Sequence, residues 1–482
     1  MPKAAETLSS LTRPDALSST LPQELANAFL LGPNETSYKH QYANMYFVRL
    51  AKLRKQVVER AKQQWRSTFS NTIFVSRILD VEKGQRCWIV GTIYKEMPLK
   101  DNVLNDLAAE HGIEPPPPRL KFHSEGDQTL LEDESGRIKL GGEALSSAHL
   151  VTGLVVAVLG VETSTGEFQV VDICYPGAAP QKPLLETGNG TSMDVDDTGE
   201  WIALISGLNI GPPSAASDLR INMFVEYLLG ETGDASDQEI ASKISRVIIS
   251  GDSFAPISYS DHDGLVEEPV TVPGEIAPVT AKKAAKKYGY EAVAFSTHPT
   301  QSLSGHLTDL SRSMVVHLVP GASDPSGATL PQQPLPRAMF GMAKDYESFR
   351  CETNPCWIGA GDCHLLGNGG QPLDDIFRYI RSSDRLGIAC ETLKWRHMAP
   401  TAPDTLWCYP YFTADPFIIT STPHVYFIGN QPRFETTIVE HEEGQRTRVI
   451  LIPRFSDNGE LVLVNPATFA VKCIRMGCQW MD

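Results

Sequence analysis

A change of pattern near residue 200 restricts the possible folds of this chain more than any other feature of the sequence. Residues 86–173 hold short strand-like apolar runs that are joined by turns. From residue 201 onward, apolar strands alternate with polar loops and helical patterns, as in residues 201–206 followed by 218–229. The chain of 482 residues is therefore predicted to contain two domains of different architecture.

The first domain is predicted to be a small closed β-barrel, for which the OB-fold is the commonest architecture. Its strands are expected at residues 86–95, 120–122, 129–132, 137–140, 150–159 and 167–173. A helix is predicted before them over residues 38–67, because Leu50, Leu53 and Val57 recur at three- and four-residue steps. We expect the basic side chains on its other faces, Arg49 and Arg54 among them, to be solvated; contact with nucleic acid is the alternative.

The second domain is predicted to be α/β, with its polar loops at the carboxyl ends of parallel strands. The segment between the domains is polar and acidic. The expected organisation is a flexible arm over residues 1–37, a helix and barrel over 38–182, a linker or loop over 183–200 and the α/β domain over 201–482. An insertion near residues 261–287 has no evident role.

The composition excludes several classes of protein. The net charge of −16 disfavours broad contact with a phosphate backbone, although a local basic patch remains possible. No apolar run reaches the ~18–20 residues that span a bilayer. The nine scattered cysteines predict reduced thiols, as in the cytosol or nucleus. Cys351, Cys356, Cys363 and His364 lack the spacing of a zinc finger or ribbon, so no metal site is predicted there.

The loops of the second domain have the order and spacing of the ligand motifs in calcineurin-like two-metal phosphoesterases. Those enzymes need carboxylate, amide and imidazole donors around two cations, so that a bridging hydroxide can attack phosphorus. In this chain most of the donor positions hold other residues. The corresponding positions are Gly207, Asn209, Asp252, Ala322, Ser323, Asp324, His397, Asn430 and Pro432.

Few of the expected metal ligands survive at these positions. Gly207, Ala322 and Pro432 offer no side-chain donor, and only Asp252 and His397 match their expected ligands. One carboxylate and one imidazole cannot hold two cations. The sequence therefore predicts no catalytic residue, no bound metal and no cofactor. Asp252 is expected to cap a loop and His397 to be a satisfied interior or interface histidine.

Long stretches of the chain resemble the family of small regulatory subunits of eukaryotic DNA polymerase delta. The resemblance runs from about residue 38 to the C-terminus. The motifs that carry it include residues 91–95, 131–138, 330–335, 395–397, 399–406, 408–410, 415–418 and 423–432. It implies an OB-fold domain packed on an inactivated phosphodiesterase domain, in an accessory subunit without catalytic activity.

The resemblance also implies partners and a nuclear location. Members of the family bind the C-terminal metal-binding module of the polymerase catalytic subunit and a third subunit that carries the sliding-clamp motif. They are shared with the translesion polymerase zeta, and they reach DNA mainly through the other subunits. Trp395, Arg396 and Trp407 are candidate anchors of such an interface, because aromatic and arginine side chains dominate interface energies.

Two alternative functions stay open at the level of the sequence. The first is a phosphoesterase or 3′–5′ exonuclease, which the missing metal ligands disfavour. The second is direct binding of single-stranded DNA by the barrel, which needs exposed aromatic rings and a basic groove. Trp88, Tyr94 and Phe122 lie on predicted strands, where core packing is the more common role of aromatic side chains.

Overall fold

The computed structural model describes residues 12–32, 38–66, 69, 72–100, 119–184, 199–211, 215–256, 297–442 and 444–477. The predicted insertion at residues 261–287 and most of the predicted linker, residues 185–198, lie outside the described residues. Within the described part, a barrel with one long helix packs against a two-sheet α/β domain.

The first domain is a closed barrel beside a long helix. Strand β2 pairs with both β3 and β5, and β4 pairs with β6, so five strands form a ring and β1 adds to it from outside. The predicted closed barrel is therefore confirmed. The elements are α1 (Gln23–Ala26), α2 (Ala43–Trp65), β1 (Ile73–Phe74), β2 (Arg86–Glu96), β3 (Gln128–Glu132), β4 (Arg137–Gly141), α3 (Ala144–Ser147), β5 (Val155–Glu162) and β6 (Glu167–Cys174).

Two local predictions in this domain are wrong. The strand predicted over residues 120–122 is irregular backbone, because the amide of Phe122 donates to the carbonyl of Arg378 at a helix end (2.8 Å) and not to a neighbouring strand. Helix α2 begins at Ala43, five residues after the predicted start. Residues 38–42 instead bring the ring of Tyr38 against Tyr409 of the second domain.

The second domain contains two stacked sheets. The first has the order β10-β9-β8-β7-β16-β17 and the second β11-β12-β13-β15-β14. Its elements are β7 (Trp201–Ile205), α4 (Ala215–Leu229), α5 (Ala235–Ser242), β8 (Ile244–Ser250), α6 (His298–Ser311), β9 (Val315–Val319), β10 (Phe349–Cys351), β11 (Cys356–Ala360), β12 (Cys363–Asn368), α7 (Gln371–Tyr379), α8 (Arg385–Lys394), β13 (Val425–Gln431), β14 (Glu435–Glu440), β15 (Arg446–Pro453), α9 (Phe455–Asn458), β16 (Glu460–Val464) and β17 (Val471–Arg475).

Alternating side chains of these strands build separate layers. Ile202 and Leu204 of β7 point between the two sheets, whereas Trp201 and Ile205 point towards α4 and α6. The outer face of the second sheet packs on α7, α8 and the barrel. Because that third apolar cluster contains residues of both domains, the barrel and the sandwich share one continuous core.

The N-terminal residues differ from the predicted flexible arm. Residues 12–32 lie along the second domain, where Arg13 donates to the carbonyl of Leu228 (2.5 Å) and Phe29 is buried. Arg246, a buried side chain of β8, donates to the carbonyl of Leu17 (2.9 Å). This part of the arm is ordered because it supplies hydrogen-bond partners to buried polar groups, which cannot stay unpaired. Residues 1–11 and 33–37 lie outside the described residues.

Candidate functional site

The predicted vestigial ligand positions lie where strands of both sheets end. Strands β7, β8 and β9 are parallel, as are β12, β13 and β15, so the carboxyl ends within each set meet at one edge. The two edges touch: the Oγ of Ser250 donates to the carbonyl of Asn368 (3.0 Å), and the amide of Asn430 donates to the Oγ of Ser206 (2.9 Å). The structure therefore brings most of the predicted positions together.

The first of these loops is closed by its own packing. Gly207 has a φ of +64°, and a Cβ atom there would lie 2.8 Å from Oδ1 of Asn430 and 3.0 Å from Cβ of Arg454. The aliphatic part of Arg454 thus occupies the space that an aspartate ligand would need. Asn209 also has a positive φ, of 48°, and its Nδ2 donates to the Oγ of Ser456 (2.8 Å). Gly207 thus has no side-chain donor, and the side-chain amide of Asn209 is held by Ser456.

The two carboxylates of the second and third loops accept hydrogen bonds from backbone amides. Oδ1 of Asp252 accepts from the amide of Ser323 (3.0 Å). Asp324 accepts from the amides of Gly321 (2.7 Å) and Phe254 (2.9 Å). Burial, opposed by these hydrogen bonds and aided by the nearby charge of Asp252, raises the pKa of Asp324 to about 6. Both carboxylates hold loops in place, which is the role predicted for Asp252.

Of the remaining positions, Asn430 keeps a side-chain oxygen, whereas Ala322 and Pro432 have no side-chain donor. Asn430 donates through Nδ2 to the carbonyl of Gly369 (2.8 Å), and its Oδ1 has no hydrogen-bond partner among the described residues. Ala322 and Pro432 are exposed. In the described part of the chain, no group of three or more His, Cys, Asp or Glu side chains is arranged to hold a metal ion. The strand ends thus form a hydrogen-bonded junction between the two sheets.

His397 belongs to a different place in the fold, the junction between the two domains. Its Nε2 lies 3.0 Å from Oδ2 of Asp415, and its Nδ1 accepts a hydrogen bond from the amide of Ala399 (3.2 Å). Both ring nitrogens are therefore occupied, with the proton on Nε2. The imidazole has no lone pair left for a metal, and it is buried in the interior as the sequence predicted.

Arg49 of α2 completes this junction from the first domain. Its Nε donates to Oδ2 of Asp415 (2.6 Å), and its other nitrogens donate to the carbonyls of Pro400 (2.7 Å), Ala402 (2.7 Å) and Gly153 (3.1 Å). The prediction that Arg49 is solvated is wrong, because its side chain is fully buried. Its spacing of four residues from Met45 and from Leu53 placed it on the apolar stripe, a signal that could have been recognised.

The ionisation states of this cluster follow from its burial. Burial and then the positive charge of Arg49 lower the pKa of His397 to about 4, so the imidazole is neutral at pH 7. Burial alone would raise the pKa of Asp415, but Arg49 and then His397 hold it below its usual range. The junction is thus a buried ion pair with a neutral histidine as its third member.

The pKa of His397 makes the stability of the chain depend on pH. Between about pH 6.5 and 4 the unfolded chain binds a proton at this histidine and the folded chain does not, so the free energy of unfolding falls as the pH falls. We expect the difference in this free energy between the wild-type chain and His397→Asn to change by about 2–3 kcal/mol across that window. Urea unfolding at several pH values measures it, and two parallel pH profiles would contradict the assignment.

The aromatic residues singled out in the sequence have divided roles. Trp395 is 1% exposed and belongs to the shared core, whereas Trp407 is 66% exposed on a loop of the second domain. Trp88 and Phe122 of the first domain are buried, and Tyr94 is half-buried. The rings proposed as stacking platforms for single-stranded DNA are thus mostly core residues. Trp407 alone of the two tryptophans can anchor a partner.

The architecture and its matches define the class of protein. Residues 41–173 match a family model described as the DNA polymerase delta subunit OB-fold domain, and residues 202–436 match one that describes the B-type subunits of DNA polymerases alpha and epsilon. Both domains of the chain therefore match domains of DNA polymerase subunits. The OB-fold predicted for the first domain is confirmed by the match.

Relatives of known name narrow the class to one family. The chain is 36% identical over 428 residues to the DNA polymerase delta small subunit of Arabidopsis thaliana. This alignment covers 88% of this chain and 88% of the Arabidopsis protein. It is 31% identical to the protein of that name in Saccharomyces cerevisiae (94% of this chain, 92% of that one) and 30% identical to DNA polymerase delta subunit 2 of Drosophila melanogaster (94% and 96%). The chain belongs to the DNA polymerase delta small-subunit family, whose members are accessory subunits of that polymerase.

Proposed function

We propose that the chain is a scaffold within DNA polymerase delta and carries out no chemistry of its own. The observation that carries the proposal is the state of the strand-end loops in the second domain. Gly207, Ala322 and Pro432 stand where phosphoesterases need metal ligands, and Asn209 and Asp252 are engaged by the loops themselves. Chemistry at phosphorus in that class depends on two cations, and these loops have too few side-chain donors to hold both.

The same loops support a finer description of the fold. Two facing sheets, with parallel strands whose carboxyl ends meet at one edge, are the arrangement on which calcineurin-like phosphodiesterases build their metal site. In this chain, Arg454 fills the first ligand position, and the amide of Asn430 joins the two sheets by donating to the Oγ of Ser206. We therefore describe the second domain as an inactivated phosphodiesterase domain that serves as a binding surface.

The partners that we propose are those of the family. They are the C-terminal metal-binding module of the catalytic subunit, the third subunit that reaches the sliding clamp, and the catalytic subunit of polymerase zeta. DNA would be contacted mainly through these proteins, in the nucleus, during replication, repair and translesion synthesis. No helix in the described part of the chain is long and apolar enough to cross a membrane.

The proposal is tested by co-expression with the polymerase delta catalytic subunit. We expect the full chain to co-purify with the intact catalytic subunit, and to be lost when the C-terminal metal-binding module of that subunit is removed. Co-purification that does not depend on this module would contradict the proposed mode of binding. Failure of the two full-length chains to associate would overturn the proposed function itself.

The absence of catalysis is tested separately with the purified chain. We expect no manganese-dependent release of nucleotides from the 3′ end of DNA above the background of a mock purification. The variant Asp252→Asn should give the same background rate, because the loops lack the other ligands that activation of water requires. A manganese-dependent activity that disappears in Asp252→Asn would restore the phosphoesterase alternative.

A further inference from the structure

Positively charged side chains gather on one surface where the two domains meet. Lys95 at the end of β2 and Arg119 come from the first domain, and Arg381 follows α7 of the second. Burial lowers the pKa of Lys95, the charge of Asp127 raises it and the charge of Arg381 lowers it, so Lys95 lies near both of these groups. In a chain with a net charge of −16, such a group of cations is an exception.

These three cations differ from their basic neighbours in having no ion-pair partner within the described part of the chain. Arg385 contacts Asp374 (2.5 Å), and His123 contacts Asp127 (2.8 Å). Among the described residues, no carboxylate oxygen lies within 4.0 Å of the charged nitrogens of Lys95, Arg119 or Arg381. Neighbouring like charges repel, and a bound anion would remove that repulsion.

The segment that carries Arg119 is held firmly against the second domain. The Nζ of Lys121 donates to the carbonyls of Phe377 (2.7 Å) and Ile380 (2.9 Å) at the end of α7, where a cation also favours the helix dipole. The amide of Phe122 donates to the carbonyl of Arg378. The surface is therefore preorganised, and binding a ligand would cost little ordering of the backbone.

An apolar side chain lies within this group of charges. Leu120, between Arg119 and Lys121, is 90% exposed, the largest exposed fraction among the large apolar side chains of the described residues. A fully solvated leucine that is fixed between cations has no role in the core of this chain. It can serve as the apolar contact of a partner whose charged groups meet the surrounding cations.

We propose that the junction patch, defined as Lys95, Arg119, Leu120 and Arg381, binds an acidic, leucine-containing segment of another polymerase subunit. The proposal rests on the scaffold function given above and adds a surface and a partner chemistry to it. Asp127 is the one carboxylate among the described residues whose charge acts on Lys95. A carboxylate-rich segment supplies further counter-charges, and its leucine side chains cover Leu120.

Nucleic acid fits the same patch less well. Three cations are few compared with the about 6–10 phosphate contacts of a DNA-binding protein. The nearby rings are unavailable for base stacking, because the guanidinium of Arg378 covers Phe122 (4.0 Å to the ring centroid) and the ammonium of Lys121 covers Phe377 (4.1 Å). An exposed leucine also gains nothing from a phosphate backbone.

The test titrates the full chain with a fluorescein-labelled peptide in which glutamates alternate with leucines, read by fluorescence anisotropy. We expect Arg119→Glu with Arg381→Glu to weaken binding at least tenfold, and Leu120→Ser to weaken it about threefold or more. The matched control is Lys52→Glu with Lys55→Glu, which makes the same change of charge at exposed positions of α2. This control should bind the peptide like the wild-type chain.

Three results would overturn the proposal. They are no saturable binding of the peptide, equal binding by the two charge-reversed variants, or tighter binding of duplex DNA that only the Arg119 and Arg381 reversal removes. The last result would assign the patch to nucleic acid. Because co-purification with the catalytic subunit is measured independently, its success together with failure of the peptide titration would reject the junction patch and leave the scaffold function standing.

Discussion

Replacing Arg49 by alanine is expected to lower the free energy of unfolding by about 3–5 kcal/mol. The substitution would leave the carboxylate of Asp415 buried without its counter-ion, and the carbonyls of Pro400 and Ala402 without their donor. Removing one partner of a buried ion pair costs far more than the pair itself contributes. Denaturant unfolding of the purified chain measures the change.

Two further variants separate this effect from a general loss of an arginine. Arg54→Ala lies on the same helix but breaks an exposed pair with Glu134, so its cost should stay below about 1 kcal/mol. Arg49→Met combined with Asp415→Leu removes both charges and should recover much of the stability lost in Arg49→Ala. Equal destabilisation by Arg49→Ala and Arg54→Ala would show that the buried pair does not join the two domains.

The two tryptophans of the second domain are expected to respond in opposite ways to truncation. Trp395→Ala removes a side chain that is 1% exposed within the shared core, and should cost about 3–5 kcal/mol of stability. Trp407→Ala removes a ring that is 66% exposed, and should change stability by less than about 0.5 kcal/mol. We expect Trp407 instead to act as an anchor of a partner interface, where truncating an anchor costs about 2 kcal/mol or more of binding free energy.

Two measurements on each variant test this division. Denaturant unfolding gives the stability, and pull-down by the other polymerase subunits at limiting concentration gives the affinity. A control at an exposed apolar position away from this loop is Val171→Ala, on strand β6 of the barrel. If Trp407→Ala binds the subunits as tightly as Val171→Ala does, Trp407 is not an interface anchor.

The elements of the chain with strong periodicity were predictable from the sequence. The barrel strands except the one at residues 120–122, helix α2 and strands β7, β8 and β9 all appear close to their expected positions. Their signals are local, because alternation and three- or four-residue steps depend only on neighbouring side chains. The prediction of a strand at residues 120–122 was wrong, because the backbone of this segment bonds to the end of a helix. Only the tertiary structure brings that helix end close to it.

In the candidate site, too, some features were predictable from the sequence and others were not. The absence of a metal-donor side chain at Gly207, Ala322 and Pro432 was visible in the sequence, because it depends on residue type alone. The position of His397 was not visible in the sequence. The order of the motifs predicted it beside the strand ends, whereas in the structure it lies beside Asp415, which pairs with Arg49. Arg49 and Asp415 are 366 residues apart in the chain, so no local pattern links them.

The sequence by itself determined that this protein has two domains, that Gly207, Ala322 and Pro432 carry no metal-donor side chain, and the family to which it belongs. These properties depend on residue identities and short-range periodicity. Only the tertiary structure decided that the domains share one core, that Arg49 is buried in it, and that Lys95 lies near Arg381. Burial and charge proximity are set by packing between residues distant in the chain, and local sequence patterns do not contain that information.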